Sequence, residues 1–357
     1  VTFIVKIKTK ILAFKTFLAI IHSEKGRKGP KFCEVLKMKK DLIAMMKSQT
    51  IGVEVEMNNI TRQDAAQVAA RVFGTTRVEN TALRNGYYTW SCWDAQGREW
   101  KFQRDVSIAG DEAHKCEMVT PILRYEDIEL LQAVCRALRA AGAKSDATRG
   151  CGVHIHIGAD GHTAQSLRNL ANIMASHEAL LTESLGLAHS RTCRYCKPIN
   201  PAFLAAVNSR KPTTMEALAD VWYGSQGENY YRNEHYNATR YHMLNLHATF
   251  TKGTVEFRLF QFDAPADGKQ NGIHAGQLKS YIQLCLALSA QAKAVRSAKA
   301  EPNPNENHKY AMRTWLLRLG FIGEEFATAR DILTRRLAGD SSWADGVRRG
   351  NRANRAA

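Results

Sequence analysis

Three short apolar runs, far apart in the chain, each carry ionisable residues two positions apart. They are Ile51 to Met57 (IGVEVEM), Cys151 to Gly158 (CGVHIHIG) and Gly253 to Phe262 (GTVEFRLFQF). Successive side chains on a β-strand point to opposite faces. Glu54 and Glu56 therefore share one face while Val53, Val55 and Met57 share the other. The same split separates His154 and His156 from Val153, Ile155 and Ile157, and Glu256 and Arg258 from Val255, Phe257 and Leu259. One such string is the ordinary signature of an amphipathic strand with a wet face. Three of them in one chain are better explained by a single sheet with an apolar core beneath and one shared polar floor above.

The chain is long enough to build that core. Its 357 residues are 45% hydrophobic and 24% charged, the make-up of a globular protein of one large domain or two. Eight cysteines are scattered without paired spacing, which argues against a secreted disulfide framework and for a reducing, cytoplasmic setting. Cys193 and Cys196 form a C-x-x-C, but a zinc site needs a second ligand pair. Two unrelated thiols are the simpler reading.

The formal charge of +16 lies mostly at the ends. Residues 1–47 contribute +9 and 341–357 contribute +3, leaving +4 for the body between them. A basic patch on a folded face would mark a nucleic-acid binder; basic ends on a nearly balanced body argue against one. Four lysines break up the apolar start of the chain, so it does not read as a membrane span, and no small-residue cleavage site follows it as a secretory signal requires. We expect residues 1–47 to be a basic extension, its natural start at Met38, Met45 or Met46. A catalytic domain over 48–300, helices packed on it over 301–340 and a disordered basic tail over 341–357 complete the expected organisation.

Helices and strands alternate irregularly. A helix is expected after Thr61 or Asp64 with Gly74 as its stop, a hairpin through Ala95-Gln96-Gly97, and helices over Glu126–Ala141, Thr163–Leu185, Ala275–Lys293 and Tyr310–Ala338. The fold class that follows is α+β, a mostly antiparallel sheet with helices on one face and the other face open. Clustered carboxylates repel one another and need cations, and carboxylate oxygens with one or two imidazoles suit Mg²⁺ or Mn²⁺. No phosphate-binding glycine loop and no H-E-x-x-H occurs. A bound nucleotide would have to be held by metal ions and arginines.

The order IGVEVEM, Asp105-x-Ser107-Ile108, CEMVTPIL, CGVHIHIG, RYCKP, RYHMLNLHATFTKGTVEFRLF resembles the amidoligase family over about Ser48 to Ala338. That family is placed with the carboxylate–amine ligases of the glutamine synthetase and glutamate–cysteine ligase group. The resemblance implies a curved antiparallel sheet whose open face binds ATP and two or three Mg²⁺ or Mn²⁺ ions. It makes Glu54, Glu56, Glu117, His154 and Glu256 metal ligands and Arg258 the residue facing the transferred phosphate. His156 is a phosphate-side or merely polar-face residue, Arg240 a phosphate contact, and Asp105 the group that orients the amine. Arg191, Arg232 and Asn245 are weaker candidates. Asp111, Glu112 and His114 lie close enough to Glu117 to compete for its place.

The implied activity joins a small-molecule or peptide carboxylate to an amine through an acyl phosphate. A metal-dependent hydrolase of amide or phosphate bonds could use the same floor, and a non-catalytic nucleic-acid binder would rest on the basic ends alone. Neither the two substrates nor the oligomeric state is written in the sequence.

Overall fold

The computed structural model describes residues 32–264, 272–302 and 306–343. The extension up to residue 31 and the basic tail from 344 onward lie outside them.

Eight strands form one open sheet. They are β1 (Ile51–Met57), β2 (Val78–Asn80), β3 (Trp90–Trp93), β4 (Glu99–Gln103), β5 (Cys116–Val119), β6 (Val153–Gly158), β7 (Leu244–Asn245) and β8 (Thr254–Phe260), in the spatial order β2-β3-β4-β5-β1-β6-β8-β7. Every neighbouring pair is antiparallel. The expected hairpin is β3–β4: Asp94 Oδ1 accepts from the backbone N–H groups of Gln96 and Arg98, and Gly97 takes a positive φ of 75°. The α+β class is therefore as expected, and the molecule adds elements beyond expectation, among them strands β2 and β7 and helices Pro201–Arg210, Met215–Gly224 and His247–Lys252.

Helices cover one face. Helix Arg62–Phe73 lies across β2 to β5; its N-cap is Thr61, whose side chain accepts from Asp64 N, and it stops where Gly74 turns left-handed. Phe73 meets the fully buried Trp100 of β4 at a ring separation of 4.9 Å, and the Trp100 indole donates to Asp94 Oδ2. Helix Ala275–Ala294 packs on β6 and is the hub of the layer, with helices Ile128–Ala140, Ala164–Leu185, Phe32–Ser48 and Ala327–Thr334 around it. Gln49, just past Phe32–Ser48, ties that helix to the hub by donating to Leu286 O at 2.9 Å. The single helix expected over 310–338 is two, His308–Arg318 and Ala327–Thr334. Gly320, at φ 90°, turns the chain between them. Among the described residues no helix is long and apolar enough to cross a membrane.

Ile51, Val53, Val55 and Met57 all enter the core beneath the sheet, together with Val153, Ile155, Ile157, Val255, Phe257 and Leu259. The strand period then forces the ionisable partners of these residues onto the face the helices leave uncovered.

Candidate active site

The polar floor is assembled by register. Across β1–β6, Glu54 stands opposite His154; across β1–β5, Glu56 stands opposite Glu117. Gln103 of β4 faces Glu117 from the other side, and β6–β8–β7 align His156, Glu256 and Asn245 in one row. Six strands, from four separate parts of the chain, thus contribute to one band. The acidic residues upstream of Glu117 are set apart from it. Asp111 and His114 pair with each other on the surface, and Glu112 is taken by Arg104 and Lys115.

Distances are short throughout. His154 Nδ1 lies 3.0 Å from Glu54 Oε2, and His154 Nε2 lies 3.8 Å from Glu56 Oε1. His156 Nε2 lies 3.3 Å from Glu54 Oε1 and 3.9 Å from Glu256 Oε1, yet it makes no hydrogen bond and is buried, while Nδ1 of the same ring is fixed by Thr254 Oγ1 at 2.9 Å. Supporting donors hold the carboxylates in place. Gln103 Nε2 donates to Glu117 at 2.7 Å, Asn245 Nδ2 donates to Glu256 at 2.6 Å, the Gly152 backbone N–H donates to Glu56, and Arg258 Nη1 donates to Glu256.

This much buried charge must rearrange its protons. Burial works to raise the Glu54 carboxyl, but the neighbouring His156 and His154 outweigh it and hold Glu54 well below the usual carboxylate range. Glu256 behaves alike: against its burial, Arg258 and His156 hold it down to about 2. Glu117 has no such partner. Its burial and the charges of Glu54, Glu56 and Asp105 push it well above its ordinary value, and the Gln103 amide offsets little of this. Burial opposes protonation of His156, but Glu256 and Glu54 prevail and raise it.

Three overlapping sets of donor atoms lie within 4.8 Å of one another: Glu54, His156 and Glu256; Glu54, Glu117 and His154; and Glu56, Asp105 and Glu117. Oxygen-rich sets with at most one imidazole each have the chemistry of sites for hard divalent cations. The unsatisfied, buried Nε2 of His156 fits the same role, and places that ring among the donor sets as closely as His154.

Beside the floor lies a cavity of about 330 Å³, lined by Glu56, Asp105 and His154 and by Arg191, Arg240 and Arg258 among others. Asp105 is brought there by a tight contact between loops. Ala109 N donates to Arg149 O, and Gly150, at φ 70°, passes so near that a Cβ would stand 2.6 Å from Ser107 O. A second cavity of about 160 Å³ is lined by Arg240, Asn245, His247, Lys252 and Glu256, so Arg240 borders both. Of the weaker candidates, Arg191 and Asn245 are in the site. Arg232 is not: it pairs with Asp220 at 2.9 Å and stacks on Tyr223. Sequence reasoning missed Gln103 and Tyr236, and Arg194, Tyr195 and Tyr241 entered it only inside the RYCKP and RYHMLNLHATFTKGTVEFRLF segments, without a role. Gln103 continues the alternation of β4 and was legible in principle, whereas the other four sit on loops with no periodicity to announce them. Cys193 is exposed and Cys196 buried, both free thiols.

A family model described as "putative amidoligase enzyme" matches residues 47–289, the span that holds every element of the floor. No curated protein matches the chain.

Proposed function

The chain belongs to the amidoligase family of enzymes, and from that membership we propose that it is an ATP-dependent ligase joining a carboxylate to an amine. The observation that carries this reading is the floor itself: three adjoining donor sets beside a cavity walled by arginines. A curved antiparallel sheet with one polar face is the frame expected of a glutamine synthetase-like catalytic domain, which we assign to residues 48–300, with the helices of 301–340 packed on it.

Glu54, Glu56, Glu117, His154, His156 and Glu256 would hold two or three Mg²⁺ or Mn²⁺ ions. Bound there, such ions would offset the charge of ATP phosphates and of the phosphoryl group in transfer. The remaining work falls to side chains. A carboxylate resists attack because its oxygen leaves poorly, and phosphorylation to an acyl phosphate supplies a good leaving group. Arg258, buried and locked by Glu256, presents a fixed guanidinium to the transferring phosphoryl group, where a preoriented donor lowers the barrier without reorganisation. Arg240, between the two cavities, contacts phosphate. Asp105, which lines the same cavity as the arginines, accepts the proton that the amine loses as it attacks the acyl carbon. The tetrahedral intermediate then expels phosphate and leaves the amide.

The test is incubation of the purified protein with Mg²⁺, ATP and pooled amino acids and short peptides, followed by mass spectrometry. ADP and a product lighter by one water than its two precursors are expected. Substrate loss without ADP would overturn the ligase reading in favour of a hydrolase.

A further inference from the structure

The helical layer holds a cavity of about 390 Å³ that shares no residue with the two beside the floor. Three helices wall it. Gln132, Arg136 and Arg139 come from Ile128–Ala140, Lys279 from the start of Ala275–Ala294, and Thr328 from Ala327–Thr334. Spacings of four and three residues stack the first three side chains on one face of their helix. The wall is pinned at two points: Gln132 Nε2 donates to Ala275 O at 2.7 Å, and Arg139 Nη1 donates to Ile273 O at 3.3 Å. Other cations of this layer are neutralised, Lys47 by Glu325 and both Arg335 and Arg336 by Asp263. These are not. Among the described residues no carboxylate lines the cavity, and no ion pair joins Arg136, Arg139 or Lys279 to an acid. Burial, and after it Arg139, hold the His274 imidazole in the same wall below its ordinary range, against the pull of Asp263.

Like charges gathered in this way destabilise one another, and Arg139 and Lys279 are half-buried, which adds to the cost. An anion reached by all three cations removes both penalties. We infer that this cavity is a second ligand site, remote from the catalytic floor, that binds a small phosphate-bearing anion between Arg136, Arg139 and Lys279. Three permanent cations call for a multiply charged ligand, since a single carboxylate would leave two of them unmatched. The guanidinium forks of Arg136 and Arg139 fit phosphate oxygens in pairs, Lys279 supplies a point charge and the Thr328 hydroxyl a neutral donor. A concave site of this volume suits a small molecule, whereas a nucleic-acid surface needs cations continued along a stripe. The inference is independent of the ligase reading. An anion held by three helices at once also ties them together, so its binding stabilises the fold.

Isothermal titration of the full chain with inorganic pyrophosphate, at low salt and in buffer stripped of divalent cations, tests this directly. Saturable binding is expected, with a melting temperature that rises as pyrophosphate is added. Arg136→Gln and Lys279→Gln should each weaken binding by about 10-fold or more, the range expected for hydrogen bonds between charged groups, and should blunt the rise in melting temperature. Arg240→Gln, in the cavities beside the floor, and Arg210→Gln, which makes the same charge change on a helix that lines none of the three cavities, should leave pyrophosphate binding as it was. Absence of saturable binding would overturn the assignment. So would loss of binding in Arg240→Gln with none in Arg136→Gln or Lys279→Gln, which would put the anion beside the floor. Equal losses in Arg136→Gln and Arg210→Gln would reduce the effect to diffuse attraction by net charge. A single-stranded oligonucleotide that binds more tightly as it lengthens, and that pyrophosphate fails to displace, would make this face a nucleic-acid surface instead. If Arg136→Gln fails to fold, Lys279→Gln decides alone.

Discussion

The two faces of β1 are chemically opposite and both largely buried, the upper one somewhat wetter at Glu54. Val53 and Val55 are 1% and 0% exposed beneath the sheet; Glu56 above it is 4% exposed, beside His154 at 4%. On the lower face, burial is the source of stability, since each apolar group removed from water contributes. On the upper face it works against stability, since charged groups are taken from water and set against one another. One strand therefore holds the fold together with one side and strains it with the other, and the strained side is where chemistry is to be sought.

The faces should part most sharply at Val55 and Glu117. Val55→Asp places an unpaired charge in the core, at a cost of about 3–5 kcal/mol, so denaturant unfolding should show a protein near or past its limit. Glu117→Gln, one strand away on the upper face, should abolish ATP turnover while the metal-free melting temperature holds or rises, because it removes the carboxyl that burial and its three acidic neighbours push up. A clear loss of metal-free stability in Glu117→Gln would show that the upper face is not strained. Next in size is Arg258→Lys. It keeps the charge beside Glu256 and loses the planar fork, so steady-state kinetics should show kcat down by about 100- to 1000-fold with ATP affinity little changed; near-normal kcat would reduce Arg258 to a counter-ion. His154→Ala and His156→Ala should each weaken Mn²⁺ binding, measured by titration, by about 10- to 100-fold. Indifference to His156→Ala would return that ring to a merely polar role. The smallest effect belongs to the helix side. His162, bonded to Ser166 and Ser289, is driven by burial and by Lys293 down to about 3. Its folded value lies below the unfolded one, near 6.5, so the folded state binds fewer protons and stability falls as pH drops from about 6.5 towards 3. His162→Gln should flatten that limb of the melting-temperature profile.

How much of this could be read beforehand follows from the range of the forces involved. Local rules mark Thr61 as a cap, Gly74 as a stop and the β3–β4 turn, because each is set within a few residues. Alternation exposes Glu54, Glu56, His154, His156, Glu256 and Arg258 as partners on strand faces, because a period of two survives in any sheet. Strand order does not follow from either rule, so the facing of Glu54 with His154 and of Glu117 with Glu56 becomes visible only in three dimensions. Strand β7 is two residues long and carries no period at all. Arg191 and Arg194 carry no periodic signal, and only the family resemblance drew attention to them, Arg191 as a weaker candidate and Arg194 inside RYCKP. What distinguishes Arg191 is burial with no carboxylate paired to it among the described residues, a property of the folded chain alone.

The sheet ends in a three-residue strand, β2, at one edge and in β7 at the other. A growing fibril needs a long row of unpaired backbone donors and acceptors on which a second chain can lie down in register. Stubs of this length present two or three rungs, too few to hold an incoming strand against its loss of conformational freedom. Misassembly at high concentration is therefore expected to begin at exposed apolar side chains such as Leu83, Ile122 and Tyr230. Solubility engineering should be directed at those positions, leaving the sheet margins alone.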